Sequence, residues 1–315
     1  MDGSEALAAA LGAGDPTGVD VLEPRSRTDR FRMLLQIYDL HTAPLHLVGE
    51  AARFQGHPSV AALKSRLEAS WLDELEQSWA RTEPEADPSD PEGIVACLRG
   101  IAVRDRLPEA YRWLAETASW EEVVDFLALE GGPDGGFDDL VALCQVGLAG
   151  SAKLELGKNY WDEMGQGEAS RVHTVLHDEL VAAISLPRVP REEQPVEALE
   201  RAALAGLLAT NRWLQPEMLG ALGLTELQAG PRCRMVLRAF DRLGAPPAAY
   251  PFYVEHAQVD PVHGRDWVDK AIVPLVTDLP SWGPRIAKGA WWRATVNLSF
   301  FQAVHRDLTA QRVAA

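Results

Sequence analysis

Cysteine is scarce in this sequence. Cys97, Cys144 and Cys233 are widely separated, odd in number and form no Cys-x-x-Cys pair. A disulfide framework and a cysteine-based zinc site are therefore not expected, and a reducing, cytoplasmic setting is. Long apolar runs are missing as well. No stretch approaches ~18 uninterrupted apolar residues, so no membrane span is expected. No basic region followed by a long apolar run opens the chain, so no signal peptide is expected either. Positive charge is in deficit: 30 Lys and Arg stand against 46 Asp and Glu, a formal net charge of -16. Such a surface repels nucleic-acid phosphates and anionic membrane, and simple solubility accounts for it. There is no glycine-rich dinucleotide loop after a strand, no P-loop, no Gly-x-Ser-x-Gly and no His-Glu-x-x-His. Basic residues do not cluster with aromatics as nucleic-acid binding needs. Alternating strand patterns are short everywhere, and no long-period repeat is found.

What remains is helical. The chain has 315 residues, 47% of them hydrophobic, with ten tryptophans, enough for a substantial core. Residues 1–30, rich in Ala, Gly, Asp and Ser, read as a loose leader. From Phe31 onward a single all-α domain is expected. A helix from about Ser59, its N-cap, to Trp79 carries an apolar stripe of Val60, Leu63, Leu67, Trp71, Leu72 and Leu75. The proline-rich stretch 82–92 reads as a loop within the domain. Shorter helices follow, one of them Trp120 to Glu130, and the chain breaks sharply at Gly131–Gly136. A long helix is expected from Asp138 to about Met164, another from Glu168 to Ile184, and one from Val196 to Trp213. Two helices are expected around Gly230-Pro231, one over 250–278, and a last from about Trp291 to Gln311.

One stretch stands out. His256, Asp260 and His263 fall at i, i+4 and i+7, within a narrow arc of one helix face. Two imidazoles and a carboxylate can close on a metal ion, and that mix suits iron, manganese or zinc better than magnesium. Pro261 inside the stretch either kinks the helix or follows Asp260 as the first residue of a new one. Upstream, Glu163 ends a largely apolar helix and His173 begins the next. Gly165 and Gly167 let the chain bend between them. On a straight helix a ten-residue offset would put these two on different faces. His177, one turn beyond His173, is a candidate supporting partner or substitute ligand.

The pattern Asp162-Glu163-x-Gly165-x-Gly167-x5-His173, followed by His256-x3-Asp260-x2-His263, resembles the haem-oxygenase-like diiron oxidases and oxygenases, also described as iron-containing redox enzymes. The resemblance covers about residues 120–275 and implies an all-α, haem-oxygenase-like helical bundle with its metal-binding core there. It implies Glu163, His173, His256, Asp260 and His263 as ligands of two Fe(II) ions, with O2 as co-substrate. The family's early glutamate falls to Glu130, ahead of the weaker Glu121 and Glu122. Three carboxylates then bring -3 against the +4 of two ferrous ions. The paired Glu-x-x-His motifs of ferritin-like sites are absent, and only Asp260 and His263 have that spacing. The activity implied is oxidation of a small amine- or carboxylate-bearing metabolite, by N-oxygenation or oxidative C–C cleavage, in a biosynthetic role. A small-molecule substrate, an external reductant and a homodimer are compatible with it.

Two other functions use the same fold or the same residues. A metal-free hydrolase of the thiaminase type would need a nucleophilic cysteine, for which Cys144 is the candidate. A non-catalytic helical protein that binds iron or a partner would bind metal without consuming O2.

Overall fold

The structure, a computed structural model, describes residues 2–104, 106–130 and 136–314, with side chains through Ala310. Among these residues there is no strand, and the fold is all-α. Among the described residues no helix is long and apolar enough to cross a membrane. The expected chain break at Gly131–Gly136 falls largely outside the described residues.

The helices are α1 (Gly3–Gly12), α2 (Arg27–Thr42), α3 (Pro58–Ala80), α4 (Pro91–Arg104), α5 (Glu109–Glu116), α6 (Trp120–Glu130) and α7 (Phe137–Cys144). They continue with α8 (Gly150–Glu163), α9 (His173–Ile184), α10 (Val196–Thr210), α11 (Gln215–Leu243), α12 (Tyr250–Asp266), α13 (Val273–Asp278) and α14 (Gly283–Ala314). Where the sequence suggested one domain over 31–315, the chain divides into two compact units. One comprises residues 1–82 and 190–213, the other 83–189 and 214–315. The proline-rich stretch 82–92, expected to lie within a domain, contains a boundary between them.

In the first unit, α2 packs on α1, α3 and α10. The expected stripe of α3 is buried at Val60, Leu63, Leu67, Trp71 and Leu75. The helix starts one residue before the expected cap, with Pro58 at its first position, where a missing N–H costs nothing. Phe31 meets Trp71 edge to face at 4.9 Å. The expected loose leader is ordered. Asp29 accepts from the backbone N–H groups of Gly3 and Ser4, at 3.0 and 2.7 Å, and from that of Arg25 at 2.8 Å. Asp2 and Glu5 close a capping box on α1. The segment is held both by satisfied backbone donors and by burial of Leu7, Leu11 and Val19.

The second unit holds the longer helices. The expected apolar face of α14 is buried at Trp292, Val296, Phe300 and Val304. The expected helix from Asp138 to Met164 is two helices, because the backbone turns left-handed at Gly147. Conversely, the two helices expected around Gly230-Pro231 are one, α11, with Pro231 inside it. Proline deletes a single helical hydrogen bond, and the packing of α11 along both α12 and α14 carries the helix through. The same resolves Pro261: α12 runs unbroken from Tyr250 to Asp266, then passes through a π-helical segment, Trp267–Ile272, into α13. His256, Asp260 and His263 therefore share one helix.

Candidate metal centre

The site is built where α8, α9, α11 and α12 meet within the second unit. The first requirement is the return of the chain from Glu163, the last residue of α8, to His173, the first of α9. Gly165, Gln166 and Gly167 take three consecutive left-handed conformations, with φ of 59°, 56° and 88°. The turn folds back so closely that a Cβ on Gly165 would lie 2.5 Å from the carbonyl carbon of Arg171. In consequence His173 Nδ1 comes within 2.6 Å of Glu163 Oε2. The two atoms lack hydrogen-bonding geometry, and His173 Nδ1 has no hydrogen-bond partner. Two donors this close suit two ligands of one ion.

The second requirement is close approach of α11 to α12. A Cβ on Gly264 would stand 2.9 Å from the amide nitrogen of Leu227 and 3.0 Å from the carbonyl of Glu226. The bare backbone there lets Glu226 reach His263, with Oε2 at 3.6 Å from Nδ1.

Two overlapping ligand groups result, each with its donor atoms within 4.8 Å of one another. One is Glu163, His173 and His256, and the other is Glu163, Glu226 and His263. Glu163 belongs to both. Asp260 lies on the same helix as both α12 histidines. It is 2% exposed, and its Oδ2 has no hydrogen-bond partner.

The structure therefore brings together Glu163, His173, His256 and His263, with Asp260 beside them. Glu130 is in neither group; its carboxylate accepts a hydrogen bond from the Tyr111 hydroxyl and its charge acts on Cys233 and Tyr253. Glu226 is a further buried donor. No spacing signal marks Glu226 in the sequence, because its role depends on the approach of two helices. His177 belongs to neither group; it packs edge-on against Phe252, with ring centroids 5.3 Å apart. Glu121 and Glu122 belong to neither group either.

The electrostatics favour a cation. Three carboxylates, Glu163, Glu226 and Asp260, are 5%, 3% and 2% exposed. Burial first, and then the charges of Glu226, Glu163 and Glu255, push the Asp260 carboxyl well above the usual carboxylate range. Buried charges are paired or hold metals. His263 is the internal counter-charge: burial pulls its pKa down, but Glu226 and Asp162 outweigh that and lift it to about 9. His256 goes the other way. Burial, then neighbouring His173, lowers it to about 4, so it is a neutral imidazole at physiological pH. Its Nδ1 lies 2.7 Å from the Phe252 carbonyl, which as an acceptor leaves Nε2 as the free lone pair. Without a metal, His173 Nδ1, Asp260 Oδ2 and His263 Nδ1 are buried polar atoms with no hydrogen-bond partner. Orphans of this kind are costly, and cations held by the two groups would give His173 and His263 a partner. The residues present fit iron: imidazole and carboxylate donors, with no thiolate among them.

The model of the iron-containing redox enzyme family matches residues 125–297, more than half of the chain. This chain belongs to that family. The matched segment includes every residue of the two ligand groups and Asp260. No curated protein matches the sequence. The family identity joins the fold to the site: an all-α member whose buried carboxylate and imidazole donors are those an iron centre requires.

Proposed function

We propose that this protein is a non-haem diiron oxidase or oxygenase. Its substrate would be a small amine- or carboxylate-bearing metabolite, oxidised by N-oxygenation or oxidative C–C cleavage in a biosynthetic role. The observation that carries this reading is the sharing of Glu163 by two ligand groups. One carboxylate common to two groups of donors suits a bridged pair of ions better than a single ion. Ferrous ions held there would supply electrons to dioxygen, with an external reductant to restore them. The chain's own part is to hold, orient and exclude. Glu163, Glu226 and Asp260 contribute -3 against +4, leaving a net positive centre that attracts a substrate carboxylate or the lone pair of an amine. His256 is the least buried of the six donors. The others lie in a dry interior where charges act strongly.

The thiaminase-type alternative loses its nucleophile. Cys144 is fully buried, and burial pushes its thiol far above the ordinary range. Thiolates that attack carbon need the opposite shift.

Anaerobic titration with Fe(II), followed by mixing with O2, tests the reading. Two equivalents bound and iron-dependent O2 consumption are expected, and an iron-loaded protein that consumes no O2 refutes it. The same titration separates the two candidate glutamates. Glu226→Gln is expected to retain one equivalent, whereas Glu130→Gln retains two. The reverse pattern would return Glu130 to the ligand set.

A further inference from the structure

We propose that Asp162 and Asn159 are positioning residues that build one metal position selectively, the one formed by Glu226 and His263 with Glu163. The inference rests on the two-position reading of the site and deepens it. The two positions are supported in different ways. At the Glu163–His173–His256 position the orienting contact is backbone, the Phe252 carbonyl against His256 Nδ1. At the Glu226–His263 position each of the two donors is oriented by a side chain, and both of those side chains come from α8.

Asp162 Oδ2 lies 3.1 Å from His263 Nε2. A carboxylate accepts only, so Asp162 holds a proton on Nε2, and when His263 gives up its second proton to a metal it is Nδ1, the nitrogen facing Glu226, that becomes the ligand. Asp162 is itself fixed, because its Oδ1 accepts from Gln166 Nε2 at 2.8 Å. Asn159 does the equivalent for the carboxylate. Its Nδ2 donates to Glu226 Oε1 at 2.7 Å, which turns Oε2 toward His263. Asn159 is 2% exposed, and its Oδ1 has no hydrogen-bond partner. A buried amide with half its capacity unused is an expensive way to fill space, and Glu226 is the side-chain partner it serves. Residues 159, 162 and 163 lie within about one turn, so the end of α8 places the shared ligand and both supports together.

The test uses the full chain and the metal alone. Asp162→Leu removes the acceptor at similar size, Asp162→Asn keeps an acceptor oxygen, and Asn159→Leu removes the donor to Glu226. Anaerobic titration calorimetry with Fe(II), and with Co(II) for its visible bands, gives the affinity of each equivalent. Melting of the metal-free proteins reports the fold. Asp162→Leu and Asn159→Leu are expected to bind the first equivalent as the wild type does. They should bind the second about 10–100-fold more weakly, the usual cost of losing a ligand's supporting hydrogen bond. Asp162→Asn should recover most of that loss. Metal-free melting is expected to fall for Asp162→Leu, which takes one of two carboxylate partners from His263, and to fall less for Asp162→Asn; the ratio of the two metal affinities, not the melt, is the deciding readout. If Asp162→Leu fails to fold, Asn159→Leu carries the same expectation. An unchanged second equivalent, or equal weakening of both, would overturn the proposal. A wild-type protein with a single binding event would remove the two-position reading itself.

Discussion

Glu163→Gln is expected to abolish binding at both metal positions in a single step. Glu163 is the one residue common to the two ligand groups, and it is 5% exposed. Glutamine keeps its shape and removes its charge. Each position then loses an anionic donor, and any bridge between the ions is broken. The loss should exceed the roughly 10–100-fold that removal of a supporting hydrogen bond costs. Stability is expected to move differently. In the metal-free protein Glu163 is one of three buried carboxylates, and its charge helps drive Asp260 toward its protonated form. Neutralising it relieves repulsion, so the metal-free variant should melt no lower than the metal-free wild type. What vanishes is the rise in melting temperature that metal gives to the wild type, since a ligand stabilises only a folded state that binds it. Metal analysis beside calorimetric melting, each with and without Fe(II), checks both halves. A variant that keeps one tight equivalent would show that Glu163 serves one ion only.

That shared role was only half legible in the sequence. His256, Asp260 and His263 could be read because a helix face repeats at intervals that spacing alone displays, and α12 keeps them on one face despite Pro261. Glu163 and His173 could be paired only with help from the resemblance. Their ten-residue separation matches no helical interval, and the left-handed turn that closes it is a three-dimensional event. Glu226 was not legible. Nothing in its local sequence sets it apart. Its place depends on the bare backbone of Gly264, thirty-eight residues further along the chain, and on Asn159 of a third helix. The helix boundaries failed for related reasons. Pro231 signals a break that packing against two neighbouring helices overrides, and Gly147 signals nothing special until the chain needs a left-handed residue there. The first thirty residues were misread because composition does not show that Asp29 will cap a helix twenty-five residues before it.

Gly165→Ala is expected to damage both the fold and one metal position while sparing the other. Gly165 sits at φ 59°, where a Cβ costs about 1–2 kcal/mol in any protein. Here the Cβ would also lie 2.5 Å from Arg171 C, 2.7 Å from Val172 N and 2.8 Å from Arg171 O. These are backbone atoms of the segment that leads into α9, so no side chain can swing aside. Overpacking of that kind costs a further 1–3 kcal/mol, roughly. The chain can escape only by moving the 171–172 segment away, and His173 moves with it. His173 Nδ1 then leaves Glu163 Oε2, and the position shared with His256 loses a donor. The Glu226–His263 position depends on α8, α11 and α12 and touches the turn only through Gln166, which holds Asp162, so it should be disturbed far less than the His173 position. Gly165→Ala should therefore melt several degrees lower without metal and bind one equivalent where the wild type binds two. It should keep the equivalent that Asp162→Leu weakens. In the double variant Gly165→Ala/Asp162→Leu the two defects fall on different positions, so both equivalents should be impaired, and because the positions share Glu163 the two losses should be coupled rather than simply additive. If Gly165→Ala instead weakens the same equivalent as Asp162→Leu, the return turn supports the Glu226–His263 position, and the division of labour between the two ligand groups is wrong.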